Sequence, residues 1–302
     1  MPDYLLLNVA RKRPTCSFIV MITKFLFYLL CRGDDFRVEF SRLGEVRSLI
    51  PKGVHIMALT ATATRSLRRA VCRTLGMDDP VVVTVSPDKT NMVFSVAHFE
   101  SLETTFRPAM EKLKCERARM QRTLIFCKQQ ETCAQLYLLF KSYLREEFTE
   151  PRGYPDLPQF RLVDMFMSGT HPSVKESITT LIQSPTSNLR VLIATVAFGM
   201  GVNPPDVRSV LHCGPPADIE TYIQEVGRGG RDGKTTHVTL FYSGQMKRFV
   251  SREMIEYCEQ TTCCRRDQLF RDFDLYVHAT CNVGCKCCDF CMQKCECGDC
   301  AN

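Results

Sequence analysis

Between residues 91 and 242, short runs rich in Val, Ile, Leu and Phe alternate with longer helix-patterned segments, and this alternation leaves the chain few folds to adopt. Strands are expected at 91–99, 123–127, 161–167, 189–195, 207–213 and 237–242, and helices at 103–119, 131–145 and 218–226. The runs at 123–127 and 189–195 lack the polar alternation of a half-exposed strand, as in strands covered on both faces. Strand, helix and strand in succession imply an α/β domain: a parallel sheet with helices on both faces. A Pro- and Gly-rich loop at 150–158 interrupts the series without ending it.

At 302 residues and 45% hydrophobic content the chain has room for about two domains. Its formal charge of +6 suits nucleic acid but selects nothing alone. Near the start, Arg11, Lys12 and Arg13 precede an apolar run, 18–30, broken by Lys24. The run is short for a membrane span of about 20 residues, so a signal-anchor reading of 11–30 is disfavoured and 1–32 stays unassigned. Helical spacing follows at 36–50 (Phe36, Phe40, Leu43, Val46, Ile50), then a strand at 54–59 and a helix at 65–75 that Thr64 can cap. A further strand is expected at 81–85. Arg65, Arg68, Arg69 and Arg73 line that helix as a solvated face or as phosphate contacts.

Three constellations carry chemistry. The stretch Gln224-Glu-Val-Gly-Arg-Gly-Gly-Arg-Asp-Gly233 sets Arg228 and Arg231 among four glycines after a helical segment. Guanidinium forks suit phosphate, and Gly227 with its fellow glycines lets backbone approach the ligand; solvated arginines on a turn are the plain alternative. The strand 189–195 ends in a polar turn, Val196-Ala-Phe-Gly-Met-Gly-Val-Asn203, at the strand end where α/β sheets bind ligands. Ten of the 18 cysteines crowd between Cys263 and Cys300, which points to metal rather than disulfides.

Taken in order, these motifs resemble the RecQ family of superfamily 2 DNA helicases over roughly residues 33–291. The resemblance rests on Asp34-Asp-Phe-Arg37, Met57-Ala-Leu-Thr-Ala-Thr-Ala63, Ser168-Gly-Thr-His171, the turn with Thr195, Phe198, Gly199, Met200 and Asn203, and the arginine decapeptide. It implies the end of a first RecA-like lobe at 33–86, a second, C-terminal lobe at 87–245 and a small helical zinc subdomain at 246–302. By the same resemblance Arg231 stabilises the transferring phosphate of ATP, Arg228 contacts phosphates and Gln224 links the two ligands. Thr60, Thr62, Thr195, Phe198, Gly199, Met200 and Asn203 face DNA or couple it to ATP. Zinc falls to Cys264, Cys285, Cys288 and Cys291, the last three spaced C-x-x-C-x-x-C, with a helix expected from Cys264 to Val277. Surplus thiols at Cys263, Cys281, Cys287, Cys295, Cys297 and Cys300 leave a shifted ligand set or a second ion open.

The sequence holds no G-x-x-x-x-G-K-[ST] phosphate cradle and no Asp-Glu-x-His box, both of which the family keeps upstream in its first lobe. The one Gly-Lys-Thr, Gly233-Lys234-Thr235, has Arg228 where the first glycine is needed. The family also has a tryptophan before its aromatic-rich loop; this chain has none, and Arg32 stands near that place. The expectation is therefore the C-terminal part of an ATP-dependent 3′-to-5′ DNA helicase, a truncated form inactive by itself. It would work in the nucleus or elsewhere inside the cell, on single-stranded or forked DNA, away from membranes, with ATP and Mg2+ engaged only in the complete enzyme. The alternative is a non-catalytic DNA-binding or regulatory module that keeps the DNA-facing motifs.

Overall fold

The computed structural model describes residues 5–8, 18–22, 55–60, 64–199, 202, 204–273 and 284–296. Backbone contacts divide the chain into two compact units, 1–88 with 270–277, and 89–269 with 278–302.

In the first unit β1 (Leu5–Asn8), β2 (Phe18–Ile22), β3 (His55–Thr60) and β4 (Val81–Val83) form a sheet in the order β2-β3-β1-β4. β2 runs parallel to β3, while β1 is antiparallel to both of its neighbours. Part of the apolar N-terminal run is thus a strand, and no described helix is long and apolar enough to cross a membrane. Between β3 and β4 lies α1 (Arg65–Thr74), whose first turn is capped where the sequence placed it: the Thr64 hydroxyl accepts from the Leu67 amide at 3.3 Å. Leu67 and Val71 are buried, whereas Arg65, Arg69 and Arg73 are exposed and Arg68 is half-buried, so the basic stripe is the helix's solvent side. The expected helix at 36–50 lies outside the described residues.

The second unit is a six-stranded, wholly parallel sheet. Its strands are β5 (Met92–His98), β6 (Arg122–Cys127), β7 (Val163–Phe166), β8 (Val191–Ala194), β9 (Val207–Cys213) and β10 (Thr236–Tyr242), ordered β5-β10-β9-β6-β8-β7. All six residues of the central strand β6 are buried, so both faces must be covered. On one face Phe106, Met110 and Leu113 of α2 (Leu102–Glu116) pack with Cys133, Leu136, Phe140 and Leu144 of α3 (Gln130–Leu144) over Ile125, Val191 and Ile193. Because side chains alternate along a strand, Phe126 faces the other side. There its ring stacks on His212 at 5.3 Å, and His212 meets Tyr222 edge-on at 4.8 Å.

Helices α4 (Pro172–Gln183) and α6 (Arg252–Glu259) add to the expected set. Of the helix expected from Cys264 to Val277, α7 covers Arg265–Phe270 and 271–273 form a turn, while 274–277 lie outside the described residues. Near the end, α8 (Asp289–Gln293) is capped by Cys288.

Candidate phosphate-facing loop and thiol cluster

Asp218 starts the helix that presents the arginines. Its carboxylate accepts from the Thr221 amide at 2.7 Å and caps α5 (Ile219–Val226), which buries Tyr222, Ile223, Glu225 and Val226. Gln224, one residue off that face, stays half-exposed. The helix stops at Gly227, and the loop to β10 folds back on itself through the Gly229 amide to Val226 O, 2.9 Å, and the Gly233 amide to Gly230 O, 3.2 Å.

Two of its glycines are sterically required. A Cβ on Gly229 would lie 2.7 Å from Thr236 Cγ2, and one on Gly230, whose φ is +59°, would lie 2.5 Å from Asn91 Nδ2. The loop therefore packs closely against Thr236 and Asn91. Arg231 is exposed, with Nε 3.5 Å from Gly227 O. Arg228 is half-buried and donates from Nη1 to Val202 O at 3.1 Å. Burial, and then the neighbouring Arg231, lower the Arg228 pKa to about 10, which leaves it charged at neutral pH. The fork geometry of both guanidinium groups suits phosphate oxygens.

Several positioning groups here were not singled out from sequence. Asp232 is held by both arms of Arg208, whose hydrogen bonds keep its carboxyl below the usual range. His212 Nε2 lies 3.0 Å from Glu225 Oε2 in the sheet interior, joining β9 to the arginine-bearing helix. Burial raises the Glu225 carboxyl above its ordinary value, and His212 opposes the shift. Lys89 and Asn91 also reach the loop from the segment before β5. Only the helical spacing of Glu225 from Tyr222, which shares its buried face with Val226, hinted at an inward carboxylate.

The turn after β8 begins where it was expected. Thr195 is buried and its amide donates to Phe166 O at 3.1 Å; Phe198 follows in a short 3-10 turn, Val196–Gly199. Phe198 is fully buried, edge-on to Phe166 at 5.4 Å, so its ring anchors the turn. From there the chain passes Val202, the Arg228 partner, and enters β9, so one segment links the C-terminal end of β8 to the arginine loop. Met200, Asn203 and Thr62 lie outside the described residues, and Thr60 closes β3 in the other unit.

Four thiols converge in the tail: Cys264, Cys287, Cys288 and Cys291 lie within 4.8 Å of one another, the first three buried. Cys264 Sγ is 3.6 Å from Cys287 Sγ and 3.9 Å from Cys288 Sγ, close to the ~3.8 Å edge of a tetrahedron with metal–sulfur bonds of about 2.3 Å. Contacts with Cys264 and Cys287 hold the Cys288 thiol well below its usual range, and hydrogen bonds to Cys264 and Cys288 push Cys287 well above it. The sequence spacing favoured Cys285; the structure gathers Cys287 instead. Gly284–Cys287 is a 3-10 turn, which rotates about 120° per residue, so Cys287 points inward while Cys285 is half-exposed.

The cluster is docked on the edge of the large sheet. Cys288 bridges Phe94 of β5 in parallel, and Asp289 accepts from the Val96 amide at 3.0 Å and from Arg265 Nε at 2.5 Å.

Residues 106–233 match the model of the helicase conserved C-terminal domain. Curated relatives include the ATP-dependent DNA helicase hus2/rqh1 of Schizosaccharomyces pombe, 27% identical across 87% of this chain and 19% of its own length. The mouse ATP-dependent DNA helicase Q1 is 29% identical across 86% of this chain and 39% of its own, and RecQ of Pasteurella multocida is 31% identical across 70% and 29%. The chain carries the C-terminal region of a RecQ-like superfamily 2 helicase. It spans well under half the length of each of these relatives. The RecQ-like region also shares its fold with S. cerevisiae Dbp5 bound to RNA and ADP BeF3 (TM-score 0.57, 16% identity, 85% of this chain and 58% of that one). The Mycobacterium smegmatis helicase Lhr bound to ssDNA and AMP-PNP gives 0.55 at 16% identity, over 74% and 28%.

Proposed function

We propose that this chain supplies the second RecA-like lobe and a zinc subdomain of an ATP-dependent 3′-to-5′ DNA helicase. The observation that carries the reading is the glycine loop that carries Arg228 and Arg231, Arg231 exposed and Arg228 tied to the turn after β8. In the complete motor Arg231 stabilises charge on the transferring phosphate, Arg228 contacts the phosphates and Gln224 links nucleotide to DNA. Thr195, Gly199, Met200 and Asn203 meet the DNA backbone, Phe198 shapes their turn, and Thr60 and Thr62 couple the lobes. The Arg228–Val202 hydrogen bond gives this coupling a physical path, because movement of the turn displaces a phosphate ligand directly.

The donor set of the tail fits Zn2+, held by Cys264, Cys287, Cys288 and Cys291. Bound there, zinc supplies folding free energy to a segment with little apolar core of its own.

The chain contains no phosphate cradle and no Asp-Glu-x-His box, so by itself it binds single-stranded DNA through backbone phosphates, weakly and with strong salt dependence, and hydrolyses no ATP. DNA-stimulated ATPase activity that co-purifies with the zinc-loaded, monodisperse chain would overturn that division of labour. With the first lobe supplied, Arg231→Ala lowers turnover by ~10³ with DNA affinity nearly unchanged, and Arg231→Lys does not rescue it, because a point charge lacks the fork. Wild-type turnover in either variant removes the role given to Arg231.

A further inference from the structure

A distant three-residue segment hydrogen-bonds four carbonyls of the arginine loop. Lys89 Nζ donates to Gly227 O at 2.9 Å and to Gly229 O at 3.3 Å. Asn91 Nδ2 donates to Gly230 O at 2.8 Å and to Lys234 O at 2.7 Å. An ammonium has three donors that can diverge toward separate carbonyls, and a carboxamide has two. Together they draw in the carbonyls at both ends of a loop whose four glycines have no side chains to pack, and Gly227 O, which Lys89 binds, is also the carbonyl that Arg231 Nε approaches at 3.5 Å. The Asn91 backbone adds a further tie, accepting from the Thr236 amide at 2.9 Å where the loop enters β10.

The same segment is gripped from behind. Arg266 is fully buried; its Nη1 donates to Lys89 O at 2.9 Å, its Nη2 donates to Met92 O, and its guanidinium lies 5.1 Å from the Phe94 ring centroid. Arg266 stands two residues after Cys264, at the start of α7, and the intervening Arg265 binds Asp289 beside Cys288. A buried guanidinium that bonds backbone carbonyls across a sheet edge gains little net stability, but as a rigid fork it fixes position.

We infer that Lys89 and Asn91 are positioning residues for the arginine loop, and that Arg266 makes their placement depend on the occupancy of the four-cysteine site. A metal that draws the four sulfurs together fixes Cys264, thereby the first turn of α7 and Arg266, thereby the carbonyls of Lys89 and Met92, and so the donors under the loop. When the thiols are unligated, the fork loses its fixed base and the glycine loop its shape. The inference rests on the reading that Arg228 and Arg231 face nucleotide only for its consequence; the relay itself is a statement about loop order.

Amide hydrogen exchange on the zinc-loaded chain tests it without nucleotide, because the Gly227, Arg228, Gly229 and Gly233 amides are all hydrogen-bonded within or beside the loop. Lys89→Met keeps the stem and removes the donors; exchange across 227–234 rises by about tenfold or more, the scale of losing hydrogen bonds from a charged donor, while peptides from β6 and β8 stay protected. Lys89→Arg restores protection, and Asn91→Ser reproduces the loss. Chelation of zinc under reducing conditions exposes the same peptide in the wild type. In Arg266→Met, which still binds one zinc, the peptide is exposed already and chelation adds nothing. Unchanged exchange in Lys89→Met, or a loop that stays protected after zinc is removed, overturns the relay. So does exposure of β6 and β8 together with the loop in both Lys89→Met and Asn91→Ser, since those residues would then be holding the sheet. Failure of the nucleotide reading shows itself elsewhere, as normal turnover of Arg231→Ala with an intact, protected loop.

Discussion

Glu225 shows how a residue inside a motif serves the motif's neighbours. It lies between the helix surface and His212, fully enclosed, and burial raises its carboxyl from the ordinary 4.5. A carboxyl with a raised folded pKa binds its proton more tightly when folded, so its stabilising contribution is complete below the unfolded value and is lost as pH rises through the folded one. Its ionisable neighbours are His212 from β9 and Asp218 and Arg228 from its own helix and loop, and only His212 and Arg228 oppose the shift. Glu225→Gln keeps the shape without the charge; its Tm therefore gains on wild type as pH rises from about 5 to 8, measured as a difference between parallel melts. A difference that stays flat or falls with pH would mean the wild-type pair remains ionised throughout. Gly230→Ala tests the loop from the other side: with φ at +59° and Asn91 Nδ2 in the way, it costs ~1–2 kcal/mol in chemical denaturation, and the same change at Gly233, with open space around it but φ at +77°, costs only the backbone share.

At the scale of elements, strands were more legible than thiols. β9 falls on the expected residues, and β6 and β10 begin one residue early, because apolar runs bounded by polar turns have few other uses in an α/β chain. The Thr64 cap was equally plain, since a short oxygen-bearing side chain before a helical pattern has one local role, whereas Asp218, read as the first helical residue, is the cap of its helix. Helix α4 was missed although Pro172 at its first position is a start signal; Thr179 and Thr180 within it are weak helix formers, which packing of Ile178 and Ile182 overrides. The cluster was legible in kind but not in detail, because C-x-x-C spacing presumes a knuckle and the backbone forms a 3-10 turn. Cys287→Ser should therefore release zinc as readily as Cys288→Ser, and Cys285→Ser should retain it, by metal analysis of desalted protein. The reverse pattern at 285 and 287 would restore the set that spacing favours. Lys89, Asn91 and Arg266 could not have been found by motif at all, since what they bind lies some 140 to 177 residues away along the chain.

For the second unit as a whole, the question is whether the tail and the sheet melt together. The core on one face of the sheet, from Phe106 and Phe140 to Val191 and Ile193, is built by α2, α3, β6 and β8 and contains no residue of the thiol cluster. The cluster touches the sheet at β5, its outermost strand, through Phe94, Val96 and the carbonyl of Met92. An edge strand can loosen while the strands inside it keep their partners, whereas loss of a central strand would divide the sheet. Chelation should accordingly leave most of the helical and sheet signal in circular dichroism intact and open protease sites beyond Glu259 and around the glycine loop, with β6, β8 and β9 still resistant. A single cooperative collapse on zinc removal would mean that the metal holds the whole unit. Cleavage confined to the tail, with the arginine loop untouched, would mean that the edge strand does not pass the change on.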